Sequence, residues 1–389
     1  VRFTWRGAGG VAPAPGSGQS QPPRRPGHFM SASRKLSANW MLLFVPVAAA
    51  LEHVPGISPP LVFFAAALAI IPIARLIGHG TENLATYTGD AIGGLLNATF
   101  GNLPELIIMI VALKAGLHSM VAGSIVGVIL FNLLLALGIG FLLGGLGHHT
   151  QKFNAVAAGI YASMMFIALG SLALPSMYEK LFATAGPIIE QQKINIGLAA
   201  VLAMLYVLYL FFMVRTHPED FASVGGGEAA AHGERWSLGR SVAVLVGASV
   251  AAAFLSEILV GATEGTAEVL GLSAPFVGIV LLASVGGAAE AMSAIGMARK
   301  DRLDLTLGIL FGACIQIALF VAPVLVFASY FVGPEPFLLS FSGGAVGLLF
   351  LSVLIGAIVA SHGSSNWYKG VQLIAVYLMI ALMLYFVPL

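Results

Sequence analysis

Runs of about 20 predominantly apolar residues follow one another from residue 40 to the end of this 389-residue chain. That pattern restricts the fold more than any motif does. Only helices or closed barrels satisfy every backbone polar group within hydrocarbon. Barrel strands would alternate apolar and polar residues at period two, and no succession of segments here does so. Apolar residues make up 58% of the chain and charged residues 9%, where a soluble protein carries roughly a quarter charged residues. The chain is expected to be an all-α polytopic membrane protein.

Eleven spans of suitable length are expected, near 40–57, 60–78, 90–115, 119–143, 155–175, 194–214, 239–260, 274–298, 303–330, 340–361 and 368–387. Cytoplasmic ends of membrane helices carry an excess of Lys and Arg. Arg34 and Lys35 before the first span therefore place the amino end in the cytoplasm. Alternation then puts Arg75, Lys152, Arg215, Arg235, Arg240, Arg299, Lys300, Arg302 and Lys369 at cytoplasmic ends. Only Lys114, Lys180 and Lys193 fall on the opposite side. With eleven spans the carboxyl end is external. The expected location is a plasma (inner) membrane of bacterial type.

Residues 1–39 read differently. Their first part is rich in Pro, Gly and Arg with no periodic apolar face, so disorder is expected. Met30, followed by SASRKLSANW, looks like a natural start, which would make the upstream part an over-extended reading frame. The remaining organisation is an accessory first helix over 40–58, a first membrane repeat over 59–214, a cytoplasmic linker over 215–238 and a second repeat over 239–389. The linker contains HPEDF and GGGEAAAHGERW and reads as a flexible connection between halves, with a cytoplasmic regulatory segment as the other reading. A net charge of +1 points to no nucleic-acid partner. Cys314 is the single cysteine, which excludes an intrachain disulfide and fits a small buried residue.

Two short stretches carry the chemistry. GNLPE ends at Glu105 and GGAAE ends at Glu290. Each places one carboxylate just behind a Gly-rich break with long apolar sequence on both sides. A carboxylate at bilayer depth costs roughly 2.5–3.5 kcal/mol on insertion scales unless a polar cavity, a partner or a cation compensates it. Gly101 and Gly286–Gly287 allow close backbone approach, and Pro104 cannot donate the bond a continuous helix needs. Carbonyls freed in this way are tolerated within a membrane only where they line a cavity or are buried in protein. Asn132 follows Glu105 and Gln316 follows Glu290 at nearly equal separations. By the expected topology Glu105 lies on an outward-running span and Glu290 on an inward-running one. The repeats are therefore inverted, an arrangement that secondary transporters use for alternating access.

Two carboxylates with backbone carbonyls, Asn132 and Gln316 would make a hard-oxygen site. Such a site suits Ca²⁺, which takes 6–8 oxygens. No Cys or His cluster lies near either stretch to favour a soft metal. Burial favours the protonated carboxyl and a nearby divalent cation favours the carboxylate. Protons and a cation can then occupy one site by turns. Each residue also has a plainer role. A single buried Glu can be paired with a cation or a water. Asn132 and Gln316 can be interhelical hydrogen bonds. Asp90, Asn97 and Thr99 can cap or join helices. Glu82 reads as sitting at the cytoplasmic membrane face near a proton or cation entrance, Glu257 near an external end, and His148 and His149 in a solvated turn.

The stretch GGLLNATFGNLPELIIMIVALKAG with FNLLLALG after it resembles the first repeat of the Ca²⁺/H⁺ exchangers of the calcium/cation antiporter superfamily. KFN after the fourth span and RTH before the linker are similar too. The likeness continues through SEILV, LGLSAPFVG, GGAAEAMSAIGMARKDRLDLTLGI and QIALFVAPVLV, and so covers nearly everything after residue 40. The resemblance implies an accessory helix followed by two inverted five-helix repeats. It also implies export of cytoplasmic Ca²⁺ driven by inward proton flow, with Asn102, Glu105 and Glu290 as site residues and Asn132 and Gln316 in support. The chain departs from the family at Gly287, where Asn is usual, and at Ala291, where a polar residue is. Val128, Phe131 and Ala313 stand where small hydroxyl residues are common.

The expected function is thus a secondary antiporter exchanging Ca²⁺ for H⁺, with a Na⁺ or K⁺/H⁺ antiporter on the same scaffold as the alternative. Ca²⁺ and H⁺ are cargo, the bilayer is the setting, and no cofactor is expected. A channel would need a continuously open pore. An enzyme would need a nucleophile with its base, or ligating histidines, within the spans, and neither is present.

Overall fold

The structure, a computed structural model, describes residues 38–88, 96, 99–182, 188–221 and 236–386. Residues 1–37 of the expected extension and 222–235 of the expected linker lie outside the described residues. So do Asp90, Asn97 and the positions of Arg34, Lys35 and Arg235.

Nearly everything described is helix. A short helix, α1 (Phe44–Glu52), precedes the long α2 (Pro59–Thr88). Then come α3 (Leu103–Lys114), α4 (His118–Gly147), α5 (Ala155–Phe182) and α6 (Ile188–Phe211). The second half holds α7 (Leu238–Leu270), α8 (Ala274–Gly286), α9 (Ala288–Ala298), α10 (Leu303–Ser329), α11 (Gly343–Ala360) and α12 (Trp367–Tyr385). Among the described residues eight helices are long and apolar enough to cross a membrane, or nine if α8 and α9, bent by 59°, form one broken span. The chain is an integral membrane protein built from helices. The other two expected spans are represented by α1, of 9 residues, and α3, of 12, each too short alone. The described residues therefore do not reach the expected count of eleven.

Helices pack closely where the sequence supplies small residues, the usual device where lipid removes the hydrophobic drive for association. A Cβ added at Gly278 in α8 would stand 3.2 Å from the Met120 carbonyl oxygen and 3.3 Å from Gly123 Cα in α4. That contact seats the first half of α4 against α8. Several buried hydroxyls are satisfied within their own helices: Ser256 donates to the Ala252 carbonyl and Thr263 to that of Leu259, at 2.7 and 2.8 Å. The apolar interior forms two clusters. One joins α1, α2 and α7 around Phe63, Ile70, Ile77 and Leu255. The larger gathers α3 to α6 with α10 to α12 around Leu130, Leu134, Phe311 and Ile317. Cys314 is fully buried within it.

Among the described residues three helices carry an internal widened turn. A π-helical segment, Phe131–Ala136, interrupts α4, another, Ile317–Val321, interrupts α10, and a third, Val277–Leu282, lies within α8. Such turns free backbone groups and tend to fall at functional sites. Asn132 lies within the first, and Gln316 immediately precedes the second. Two minimal strands, β1 (Gln151–Lys152) and β2 (Ser364–Ser365), pair antiparallel and tie the loop after α4 to the loop after α11.

Candidate functional site

Both acidic motifs fold as breaks followed by a helix start. Before α3 the chain turns at Gly101 and Asn102, and Asn102 has φ −98° and ψ 22°, outside helical geometry. Pro104 then occupies the first turn, where a missing N–H costs nothing. Glu105 is the third residue of α3. Before α9 the break falls at Gly287, and Glu290 is the third residue of α9. Each carboxylate therefore sits in the first turn of a helix, where the positive end of the helix dipole favours negative charge.

The tertiary fold brings the two together. Glu105 is 2% exposed, and its side chain lies against the other break: a Cβ at Gly286 would stand 3.0 Å from Glu105 Cγ. Gly286 is thus required by close approach. Glu105 and Glu290 line one cavity of about 640 Å³ and lie close enough to interact electrostatically. Gln316 lines the same cavity, and its Oε1 accepts a hydrogen bond from Asn102 Nδ2. Of the five site residues expected from sequence, four meet in this way. Asn132 is fully buried but is not part of the cavity wall.

Several buried oxygens are left unpaired. Asn102 Oδ1, Glu105 Oε2, Asn132 Oδ1 and Glu290 Oε2 have no hydrogen-bond partner. Leaving a buried acceptor unsatisfied costs about 1–3 kcal/mol, so a concentration of them in one region is unusual for a region meant only to pack. The chemistry on offer is hard-oxygen ligation and proton binding. Among the described residues no group of three or more His, Cys, Asp or Glu is arranged to hold a metal ion. A cation here would draw on the two carboxylates together with amide and backbone oxygens.

Away from the carboxylates the cavity reaches Arg75, His79 and Glu82 of α2 and Asp304 of α10. His79 Nδ1 and Glu82 Oε2 are 3.4 Å apart, and both side chains are more than half exposed. Glu257 is outside the cavity, in an exposed ion pair with Lys114 at 3.3 Å. Asp304, Gly308 and Tyr161 line the cavity, and the sequence reading passed over them. The signal was present: Asp304, Gly308, Gly312 and Gln316 recur every fourth residue, which puts them on one helix face.

In the second motif the position of Gly287 is sterically confined. A Cβ at Gly287 would stand 3.0 Å from Phe131 Cδ1. The Phe131 ring, itself buried and edge-on to Tyr377 at 6.4 Å, occupies the space that a side chain at 287 would need.

A broken-helix pair of carboxylates facing one cavity within an apolar bundle is an arrangement suited to a membrane cation transporter. The chain matches the model of the sodium/calcium exchanger protein family over residues 58–215 and 240–386, and it belongs to that family. It is 38% identical over 362 residues to the Ca²⁺/H⁺ antiporter of Aphanothece halophytica, covering 90% of this chain and 96% of that one. It is 36% identical over 327 residues to the Ca²⁺/H⁺ antiporter ChaA of Bacillus subtilis, covering 83% and 92%. Among solved structures it is similar to native YfkE, with a TM-score of 0.76 and 33% identity over 90% of this chain and all of that one.

Proposed function

We propose that this protein is a secondary antiporter that exchanges Ca²⁺ for H⁺ at a single site made by Glu105 and Glu290. One observation carries the reading: two acidic side chains from separate helix breaks reach one cavity, each with a buried oxygen lacking a partner. A divalent cation supplies the missing ligation when both groups are ionised, and protons supply it when they are not. Mutual exclusion at that site couples the two fluxes without a covalent step. The relatives named as Ca²⁺/H⁺ antiporters support calcium as the cation.

Asn102 and Gln316 hold the site by bonding to each other, and Asn132 supports it from within α4. The two breaks belong to inverted repeats, 59–214 and 239–389, which alternate access around the site. The cavity reaches Arg75, and Arg75, Arg299, Lys300 and Arg302 belong to helix ends that the positive-inside rule assigns to the cytoplasm. Cytoplasmic Ca²⁺ then enters here and leaves on the far side of a plasma membrane as protons flow in. The thin set of side-chain oxygens at Gly287 and Ala291 favours one second reading, a Na⁺ or K⁺/H⁺ antiporter on the same scaffold.

The test is transport into everted membrane vesicles under an imposed proton gradient, with Ca²⁺, Na⁺ and K⁺ offered in turn. Wild-type protein is expected to move Ca²⁺ against H⁺, and Glu105→Gln and Glu290→Gln are each expected to fall to the level of empty vesicles. Full exchange by either variant would remove that carboxylate from the site.

A further inference from the structure

We propose that Asp304 is a cation-recruiting residue at the mouth of the cavity, the first carboxylate of the α10 wall that a hydrated cation meets on the way to Glu105 and Glu290. This rests on reading those two groups as the exchange site. Asp304, Gly308, Gly312 and Gln316 all line the cavity and fall on one face of α10. At 1.5 Å rise per residue the stripe runs roughly 18 Å from the charged end to the amide end. Its middle is bare backbone. A Cβ at Gly312 would meet nothing within 4 Å, and one at Gly308 only the Tyr161 hydroxyl at 3.4 Å. Leu305, Ile309 and Ala313 line the cavity beside this stripe, and the two glycines keep the stripe itself open between Asp304 and Gln316. At the inner end of the same cavity, Glu105 is 2% exposed and its Oε2 is unpartnered, a group aimed at something the protein does not supply.

Asp304 is held in place from outside the cavity. Its Oδ1 accepts a hydrogen bond from the Asn154 backbone N–H at 2.6 Å. The Asn154 side chain is itself anchored: Oδ1 accepts from the N–H of Val156 and of Ala157, and Nδ2 donates to the Asp220 carbonyl at 3.0 Å. The facing helix α2 contributes Arg75, His79 and Glu82 to the mouth. Asp304 is the one acidic lining residue on the α10 side. A charge at the rim of a low-dielectric cleft raises the local concentration of counter-ions. For a divalent ion some 6 Å from a carboxylate, the attraction in water corresponds to about tenfold enrichment. Asp304 also lies in the first turn of α10, where a carboxylate complements the helix dipole. A structural role of that kind and a recruiting role make different kinetic predictions.

Asp304→Asn keeps an oxygen to accept from the Asn154 N–H and removes the charge. The experiment measures initial rates of proton-driven ⁴⁵Ca²⁺ uptake against free Ca²⁺ in everted vesicles containing the full chain. It is run at ~20 mM and ~300 mM choline chloride, ionic strengths that bracket strong and weak screening. Asp304→Asn is expected to raise KM about three- to tenfold at low salt with the maximal rate retained, and the difference should shrink at high salt. Asp304→Glu should restore the wild-type KM. An unchanged KM at low salt, or a fall in maximal rate at constant KM, would overturn the proposal in favour of a structural group. Should the wild type carry Na⁺ or K⁺ in place of Ca²⁺, the same KM split for that ion decides the matter. Failure of the exchange-site reading shows separately, as full exchange by Glu105→Gln, whatever Asp304→Asn does.

Discussion

Asn102 Nδ2 donates a hydrogen bond to Gln316 Oε1 across 214 residues of sequence. The bond joins the helix break that precedes Glu105 to the residue where α10 widens into its π-helical turn. It links the two halves of the molecule directly at the candidate site, between a side chain that is 1% exposed and one on the cavity wall.

Cutting that bond from either side leaves one amide of the pair unsatisfied, Asn102 in the protein interior or Gln316 on the cavity wall. Asn102→Ala and Gln316→Ala are each expected to cost about 1–3 kcal/mol, read as a lower thermal midpoint of the detergent-solubilised protein. The double variant should cost clearly less than the two together, because neither orphan then remains. Strict additivity would show that the pair is not coupled.

Gly286 is where α8 must let Glu105 through. Gly286→Ala adds a Cβ 3.0 Å from Glu105 Cγ, at a buried position that overpacking strains by about 1–3 kcal/mol. The expected result is normal membrane insertion with impaired Ca²⁺ exchange. Gly296→Ala, where a Cβ would meet nothing within 4 Å, is the control and should behave as wild type.

Phe131 and Gly287 are expected to act as a compensating pair. Gly287→Asn alone drives its side chain into the Phe131 ring, 3.0 Å from the Cβ position, and is expected to lower both stability and transport. Adding Phe131→Ser opens the space and is expected to restore transport, with a lower KM for Ca²⁺ because the new amide supplies an oxygen ligand. A double variant no better than the single one would count against the pairing.

Gln151 staples the end of α9 to the strand pair. It is 1% exposed, and its Nε2 donates to the Ala298 carbonyl and to Asp301 Oδ1, both at 2.8 Å. Asp301 takes φ 58°, a left-handed conformation that Asp tolerates better than most residues. Gln151→Leu should cost about 1–3 kcal/mol in thermal unfolding while leaving the KM for Ca²⁺ unchanged. A shifted KM would mean that this loop participates in transport.

Much of the architecture was legible because hydropathy is written locally. The long helices α2, α4, α5, α6, α7, α10, α11 and α12 coincide with expected spans, since each must bury its own backbone within hydrocarbon. The broken pair α8 and α9 was foreshadowed by Gly286 and Gly287. The two carboxylates were legible for the same reason, as charges in apolar surroundings. Asn132 was harder to place. Its spacing from Glu105 matches that of Gln316 from Glu290, yet only Gln316 reaches the cavity wall. Glu105 and Asn132 lie on different helices, α3 and α4, so their spacing in sequence does not fix which face of α4 turns toward the cavity. Asp304 was overlooked because it lies beside Arg299, Lys300 and Arg302, where a charge reads as solvated surface.

By itself the sequence determined that this chain spans a membrane as a helical bundle, and that two acidic residues stand at helix breaks inside it. These follow from local rules of backbone satisfaction and charge burial. Only the tertiary structure decided that Glu105 packs on Gly286, that Asn102 bonds Gln316, and that Phe131 fills the space beside Gly287. Each of these depends on which faces of distant helices meet, and side-chain packing across the bundle sets that, not hydropathy along the chain.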